Sequence, residues 1–255
     1  IRLSVELFGG LSLSIHGSLT AAVRVPAVMC GGLFLWGLYS LAHRTLKSEK
    51  HARLAVFVAS TIPAMNAFSL LMTIDAPYLT CWVWALVYGH DAVVENRRIQ
   101  WFLTGIVVAL GILAKYTMAV WLGSFALYIL VNPQNRHKLF TLNFGLMVAV
   151  ASLSALPILI WNSSHDWVTF RHVAGQAGVG NQTSNGIRWM GPILFLSSQL
   201  AVLLGYWLII GAWAFGRNRP SQLTDEPINY LWWMSFPTIV LFSLLSLKTP
   251  IQLNY

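Results

Sequence analysis

The sequence contains very few charged residues. They make up 9% of its 255 residues, and only eight are acidic, whereas an ordinary soluble domain has roughly 25% charged residues. Hydrophobic residues account for 56% of the chain, and the mean hydropathy is +0.64. This composition excludes a conventional water-soluble domain and predicts an integral membrane protein.

Cysteine is also scarce. Cys30 and Cys81 both lie in apolar runs, where a thiol behaves as a small hydrophobe, so the sequence predicts no disulfide framework and no cysteine metal site. The phosphate-binding motif G-x-x-x-x-G-K-[ST] is absent as well. The net charge is +8, but the basic residues are not gathered on one face or tail, so nucleic acid is not an expected partner.

The chain does have long apolar runs. Several reach the ~17–25 residues that a helix needs to cross a bilayer, and none shows the strict alternation of a transmembrane barrel strand. The sequence therefore predicts an all-α, polytopic transmembrane bundle with about eight spans. The predicted spans are residues 25–43, 54–72, 76–90, 99–114, 116–131, 139–161, 191–214 and 229–247.

Basic residues are concentrated in alternate connections between these spans. Ten of the sixteen lysines and arginines lie in the loops at 43–53, 96–98, 135–138 and 216–219. The positive-inside rule places these loops in the cytoplasm and the other connections outside. We interpret four acidic residues as solvated surface charge: Asp91, Glu95, Asp225 and Glu226.

Asp75 lies in a short break between the apolar runs 54–72 and 76–89. A charged group at a membrane span costs several kcal/mol unless it is paired or solvated, so its presence there indicates a site or an interface anchor. Lys115 joins two apolar runs at the same outer level. It either extends into the headgroup region or holds an anionic phosphate, and the same two alternatives apply to Arg171 and Lys248.

The outer loop at 161–172 combines aromatic, acidic and basic residues. Trp161 and Trp167 are typical of the aromatic belt at a membrane boundary, and Asn162 begins an N-glycosylation sequon. Three residues of the loop have side chains that suit a divalent metal ion: His165, Asp166 and His172. Their spacing matches no specific metal-binding signature, so the cofactor stays open.

Five runs, taken in order along the chain, carry a resemblance to a known family. They are AVRVPA at 22–27, TIDAPYL at 73–79, GILAKYT at 111–117, the segment 157–172, and KTPIQLN at 248–254. Together they resemble the GT-C membrane glycosyltransferases, in the branch of protein O-mannosyltransferases and bacterial lipid A aminoarabinose transferases. The similarity extends over nearly the whole chain.

The resemblance implies a bacterial inner-membrane enzyme with its active site at the outer face. The implied donor is a polyprenyl-phosphate sugar, and the implied acceptor is a lipid, a glycan or a protein. Asp75 would be catalytic: it would orient the sugar or a cation, support a base elsewhere, or be the base itself. The donor phosphate would be bound by Lys115, Arg171 and Lys248. The sugar or acceptor would contact Asp166, His172 and Asn254.

The family's presumed catalytic base lies in a large first outer loop, which would precede Ile1. Residues 1–255 are therefore expected to form the C-terminal part of the transmembrane domain, and this part alone is expected to be inactive. Two alternatives stay open. Polar groups within apolar segments also mark the substrate paths of secondary transporters, and a noncatalytic lipid-binding membrane subunit would also lack the acidic loop.

Overall fold

A computed structural model of the chain describes residues 19–71, 73–176, 188–202 and 226–248. This part of the chain is helical throughout and has no strand, which confirms the predicted all-α class. The helices are α1 (Leu19–Leu46), α2 (Glu49–Ser60), α3 (Pro63–Leu70), α4 (Asp75–Glu95), α5 (Arg98–Ala114), α6 (Ala119–Val131), α7 (Leu142–Ser152), α8 (Ala155–Ser163), α9 (Val168–Gln176), α10 (Gly191–Val202) and α11 (Glu226–Leu245), with short 3₁₀ turns at Tyr116–Met118 and Arg136–Phe140.

The chain divides into two compact units. The first comprises Ile1–Leu122 and His137–Ala151, and the second comprises Gly123–Arg136 and Ser152–Tyr255. Helices α1 to α5 belong to the first unit, and α8 to α11 belong to the second.

Helix α4 is central to the first unit because it packs against both α1 and α5. Two side chains of α4 donate hydrogen bonds to backbone carbonyls of α1: Thr80 Oγ1 to Cys30 at 2.9 Å, and Trp84 Nε1 to Leu33 at 3.0 Å. Gly37 of α1 permits this packing, because a Cβ there would lie 2.7 Å from the Val83 side chain. The approach fixes α4 against α1 along much of its length.

Three stretches in the described residues are long and apolar enough to cross a membrane: Arg24–Leu46, Leu142–Ser163 and Ile228–Leu245. They match three of the predicted spans. The prediction of eight spans is therefore wrong by these criteria in the part of the chain that the structure describes. The predicted span 191–214 is described only as far as Val202.

Helix length and composition explain the other differences. At about 1.5 Å per residue, the 17 residues of α5 reach about 25 Å and the 13 residues of α6 about 20 Å, short of a hydrocarbon core of about 30 Å. Helix α4 is long enough at 21 residues, but its acidic residues and His90 lower its mean hydropathy below that of the three candidate spans.

The predicted span 54–72 is broken. It forms α2 and α3, which are bent by 77° and together count as a fourth span only if the pair is treated as one. Pro63 begins α3, and Ile62 before it has extended backbone angles, as expected for a residue that precedes proline. The proline therefore ends the first helix and begins the second.

Candidate functional site

Asp75 is the first residue of α4 and is buried, with 8% of its surface exposed. The preceding residue, Ile74, makes no side-chain capping bond to the helix. Unpaired backbone N–H groups at a helix N-terminus favour a negative charge in the first turn. The first turn of α4 is therefore a favourable position for an acidic side chain such as Asp75.

Lys115 follows the last residue of α5 and contacts Asp75 directly. Its backbone is extended, at φ −154° and ψ 126°, and its amide donates a hydrogen bond to the Gly111 carbonyl at 2.8 Å. Its Nζ lies 2.8 Å from Asp75 Oδ1, and the two side chains are only 9% and 11% exposed. The sequence placed these residues at one level, and the structure joins them in a buried ion pair.

Tyr78 is the third member of this cluster. The Lys115 ammonium lies over its ring, 5.4 Å from the centroid, within the range of a cation–π contact. The ring also packs against Trp82, with centroids 5.7 Å apart. The sequence analysis did not select Tyr78, although its position three residues after Asp75 puts both side chains on one face of α4.

A small apolar depression of about 10 Å³ lies in the first unit, which is about the space that one water molecule needs. It is lined by Cys30, Gly31, Phe34, Met65, Phe68, Ser69, Ala76 and Leu79. Ala76 follows Asp75 directly in the chain. Cys30 and Cys81 are both free thiols.

Asp91 was wrongly predicted to be solvated surface charge. It is 6% exposed, and Arg44 Nε contacts both of its carboxylate oxygens, at 3.1 and 3.0 Å. His90 Nδ1 lies 3.4 Å from Oδ1 of the same carboxylate. The interpretation as surface charge holds for Glu95, which is exposed and pairs with Arg97 at 3.2 Å.

In the second unit, Asp166 lies in the turn between α8 and α9. Asp166 and Trp167 both have left-handed backbone angles, with φ of 52° and 56°. Asn162 holds the turn: its Nδ2 donates to the Ile158 carbonyl at 2.8 Å, and its Oδ1 accepts from the Thr169 amide at 3.1 Å. Because Asn162 is only 1% exposed, its sequon is not available for glycosylation in the folded protein.

Arg171 of α9 and Lys248, just after α11, are exposed residues of the second unit. The Arg188 amide donates to the Leu247 carbonyl at 2.8 Å, which links the segment before α10 to the end of α11. The His172 side chain and Asn254 lie outside the described part of the structure. The binding roles of Asp166, Arg171 and Lys248 stay predictions.

The hypothesis of a metal site depends on the loop that contains His165. That imidazole stacks on Trp161, with centroids 4.1 Å apart, and its Nδ1 lies 2.7 Å from the Trp161 carbonyl oxygen. Among the residues that the structure describes, no group of three or more His, Cys, Asp or Glu side chains could hold a metal ion.

Comparisons with known proteins agree with the resemblance seen in the sequence. The family model described as dolichyl-phosphate-mannose-protein mannosyltransferase matches residues 4–161, more than half of the chain. The lipid A galacturonosyltransferase RgtD of Rhizobium johnstonii is 26% identical over 185 residues, which cover 72% of this chain and 38% of the relative. The chain thus spans less than half the length of that relative. No solved structure matches it.

Proposed function

Because the chain belongs to the dolichyl-phosphate-mannose-protein mannosyltransferase family of GT-C membrane glycosyltransferases, we propose that the full-length protein transfers a sugar from a polyprenyl-phosphate donor. The proposed acceptor is a lipid, a glycan or a protein, and the proposed location is the outer face of a bacterial inner membrane. The name of the similar galacturonosyltransferase supports a lipid acceptor among these three. The family match and the apolar helices make the protein an integral membrane protein.

The buried pair of Asp75 and Lys115 is the observation that carries this proposal. Both side chains are nearly removed from solvent, and removing two charges from water is costly unless their contacts compensate. An ammonium can bind a phosphate, and a carboxylate can accept hydrogen bonds from a sugar. A surface anchor does not need this burial.

In the proposed reaction, the bond between the anomeric carbon and the donor phosphate oxygen breaks, and a bond to the acceptor oxygen forms. The acceptor hydroxyl gives its proton to a carboxylate. The phosphate leaves with its electron pair and needs no acid if a fixed cation stabilises its charge. Lys115 is our candidate for that cation, and Arg171 and Lys248 of the second unit are separate candidates for binding the donor phosphate.

Asp75 has a supporting part in this scheme. As the partner of Lys115, it fixes the ammonium, and it orients the sugar as the donor enters. We assign the proton-accepting base to another residue, as the family resemblance implies. Asp166, His172 and Asn254 are proposed to contact the sugar or the acceptor.

The bend between α2 and α3 supports a second candidate. Transporters bind their substrates at broken helices, and this helix pair is bent by 77°. Transporter sites usually lie near the bilayer midplane, however, whereas Asp75 and Lys115 lie at helix ends. We therefore favour the transferase.

Reconstitution of the full-length protein distinguishes the two candidates. Proteoliposomes would be supplied with polyprenyl-phosphate sugars and lipid acceptors, and both sugar transfer and solute uptake would be measured. We expect transfer, and we expect Asp75→Asn to lower it about 100-fold or more, as for a charged group positioned in a site that excludes water. Glu95→Gln removes an exposed carboxylate of the same helix and serves as the control. Uptake without transfer would replace the transferase with the transporter.

A further inference from the structure

Tyr78 shares the Lys115 ammonium with Asp75. Asp75 and Tyr78 lie three residues apart in α4, and Lys115 reaches both from the end of α5, 2.8 Å from the carboxylate and 5.4 Å from the ring centroid. Trp82, one turn further along α4, packs against the tyrosine ring. The ring is therefore held in place from the side of its own helix.

The two contacts differ in what a bound donor does to them. A donor phosphate competes with the Asp75 carboxylate for the ammonium, because both are anions. The tyrosine ring attracts the same cation through its π face, and a phosphate does not displace that face. A lysine side chain has several rotatable bonds, so a contact that the phosphate does not displace restricts where the ammonium lies.

We infer that Tyr78 is a positioning residue that holds the Lys115 ammonium where the donor phosphate binds. This inference rests on the proposed function. Tyr78 acts through Lys115 and takes no part in the bond changes. Its loss therefore weakens donor binding and leaves the rate at saturating donor nearly unchanged.

Two substitutions separate the ring from its hydroxyl group. Tyr78→Leu removes the π face at similar bulk, and Tyr78→Phe keeps it. In the full-length protein, we expect Leu to raise KM for the donor about tenfold, the size expected for a partly desolvated cation–π contact. Phe should restore most of the affinity. In a Lys115→Met background, Leu should have no further effect, because the group that the ring holds is gone.

An equal rise in KM for Leu with and without Lys115 would overturn the inference, and so would a Phe variant as impaired as Leu. A second measurement does not depend on transfer. The rate at which an amine-acylating reagent modifies Lys115, followed by mass spectrometry, should rise in Tyr78→Leu and not in Tyr78→Phe. If wild type transfers no sugar but this difference appears, the proposed function fails while the tyrosine contact stands. Equal acylation rates in the two variants would contradict the contact itself.

Discussion

The two ends of α4 each bury a carboxylate against a cation from a neighbouring helix, but they hold that cation differently. At the N-terminal end, Lys115 and Asp75 are 9% and 11% exposed. Near the C-terminal end, the Asp91 side chain is 9% exposed while the Arg44 side chain is 39% exposed. The carboxylates are sixteen residues apart, or about 24 Å along the helix.

The difference lies in the chemistry of the two cations. Arg44 contacts both oxygens of Asp91 and also donates to the Ser40 carbonyl at 3.2 Å, so its planar group fastens α1 to α4. The Lys115 ammonium bonds Oδ1 of Asp75 and lies over the Tyr78 ring, and an ammonium on a flexible chain can change partners. One pair is built to hold two helices together, and the other is suited to exchange a carboxylate for a ligand.

The largest expected effect is an all-or-none difference in labelling between the two ends. Single cysteines would replace Ile74 and Glu95 in a chain whose Cys30 and Cys81 are alanines. Ile74 is 41% exposed and Glu95 is also exposed. Helix α4 is not among the helices apolar enough to cross a membrane on their own, but the basic residues that follow it place its C-terminal end inside. A membrane-impermeant maleimide should therefore label position 74 from outside, and position 95 only after permeabilisation. Labelling of both from one side would show that α4 does not cross the membrane and would remove the topological basis of the comparison.

The next effect concerns donor affinity. Lys115→Met should weaken binding of a polyprenyl-phosphate donor by about 1.5–3 kcal/mol, the range for a hydrogen bond to a charged group. Arg44→Met removes the cation at the other end of α4 and should leave donor affinity unchanged. Binding would be measured with the reconstituted full-length protein. Equal losses in both variants would mean that the two ends do not differ in function.

The smallest effect is on stability. Asp91→Asn should lower the free energy of unfolding by about 1–3 kcal/mol, because Arg44 loses the charged group that accepts its hydrogen bonds. The loss is limited because the Arg44 side chain is partly exposed to solvent. Transfer per folded molecule should not change. Thermal unfolding in detergent, combined with transfer normalised to folded protein, provides the measurement. A fall in normalised transfer would assign the Asp91 pair to the site.

Much of this arrangement was predictable from composition and spacing. The apolar runs predicted an all-helical membrane protein, and the interruption at Asp75 identified the residue that the structure places in a buried pair. Lys115 was expected at the same outer level. Its contact with Asp75 was not predicted, because that contact depends on how the antiparallel helices α4 and α5 are aligned.

Two errors had signals in the sequence. Pro63 indicated that the apolar run 54–72 could not continue as one helix. His90 and Asp91 lie within the last turns of an apolar segment, where an unpaired charge is costly. Their position therefore indicated that Asp91 has a partner such as Arg44. The helix alignment that joins Arg44 to Asp91 could not be derived from local pattern alone.

The length of α5 is itself part of the candidate site. Lys115 directly follows the last residue of this helix, and Gly105 packs so closely on the Met147 backbone that a Cβ there would lie 2.7 Å from the Met147 oxygen. One residue inserted between that anchor and Lys115 would rotate the lysine by about 100° and advance it by about 1.5 Å. The ammonium would then point away from Asp75. Natural variants of this protein should therefore tolerate insertions and deletions in the loops, but not in the nine residues 106–114 that connect Gly105 to Lys115.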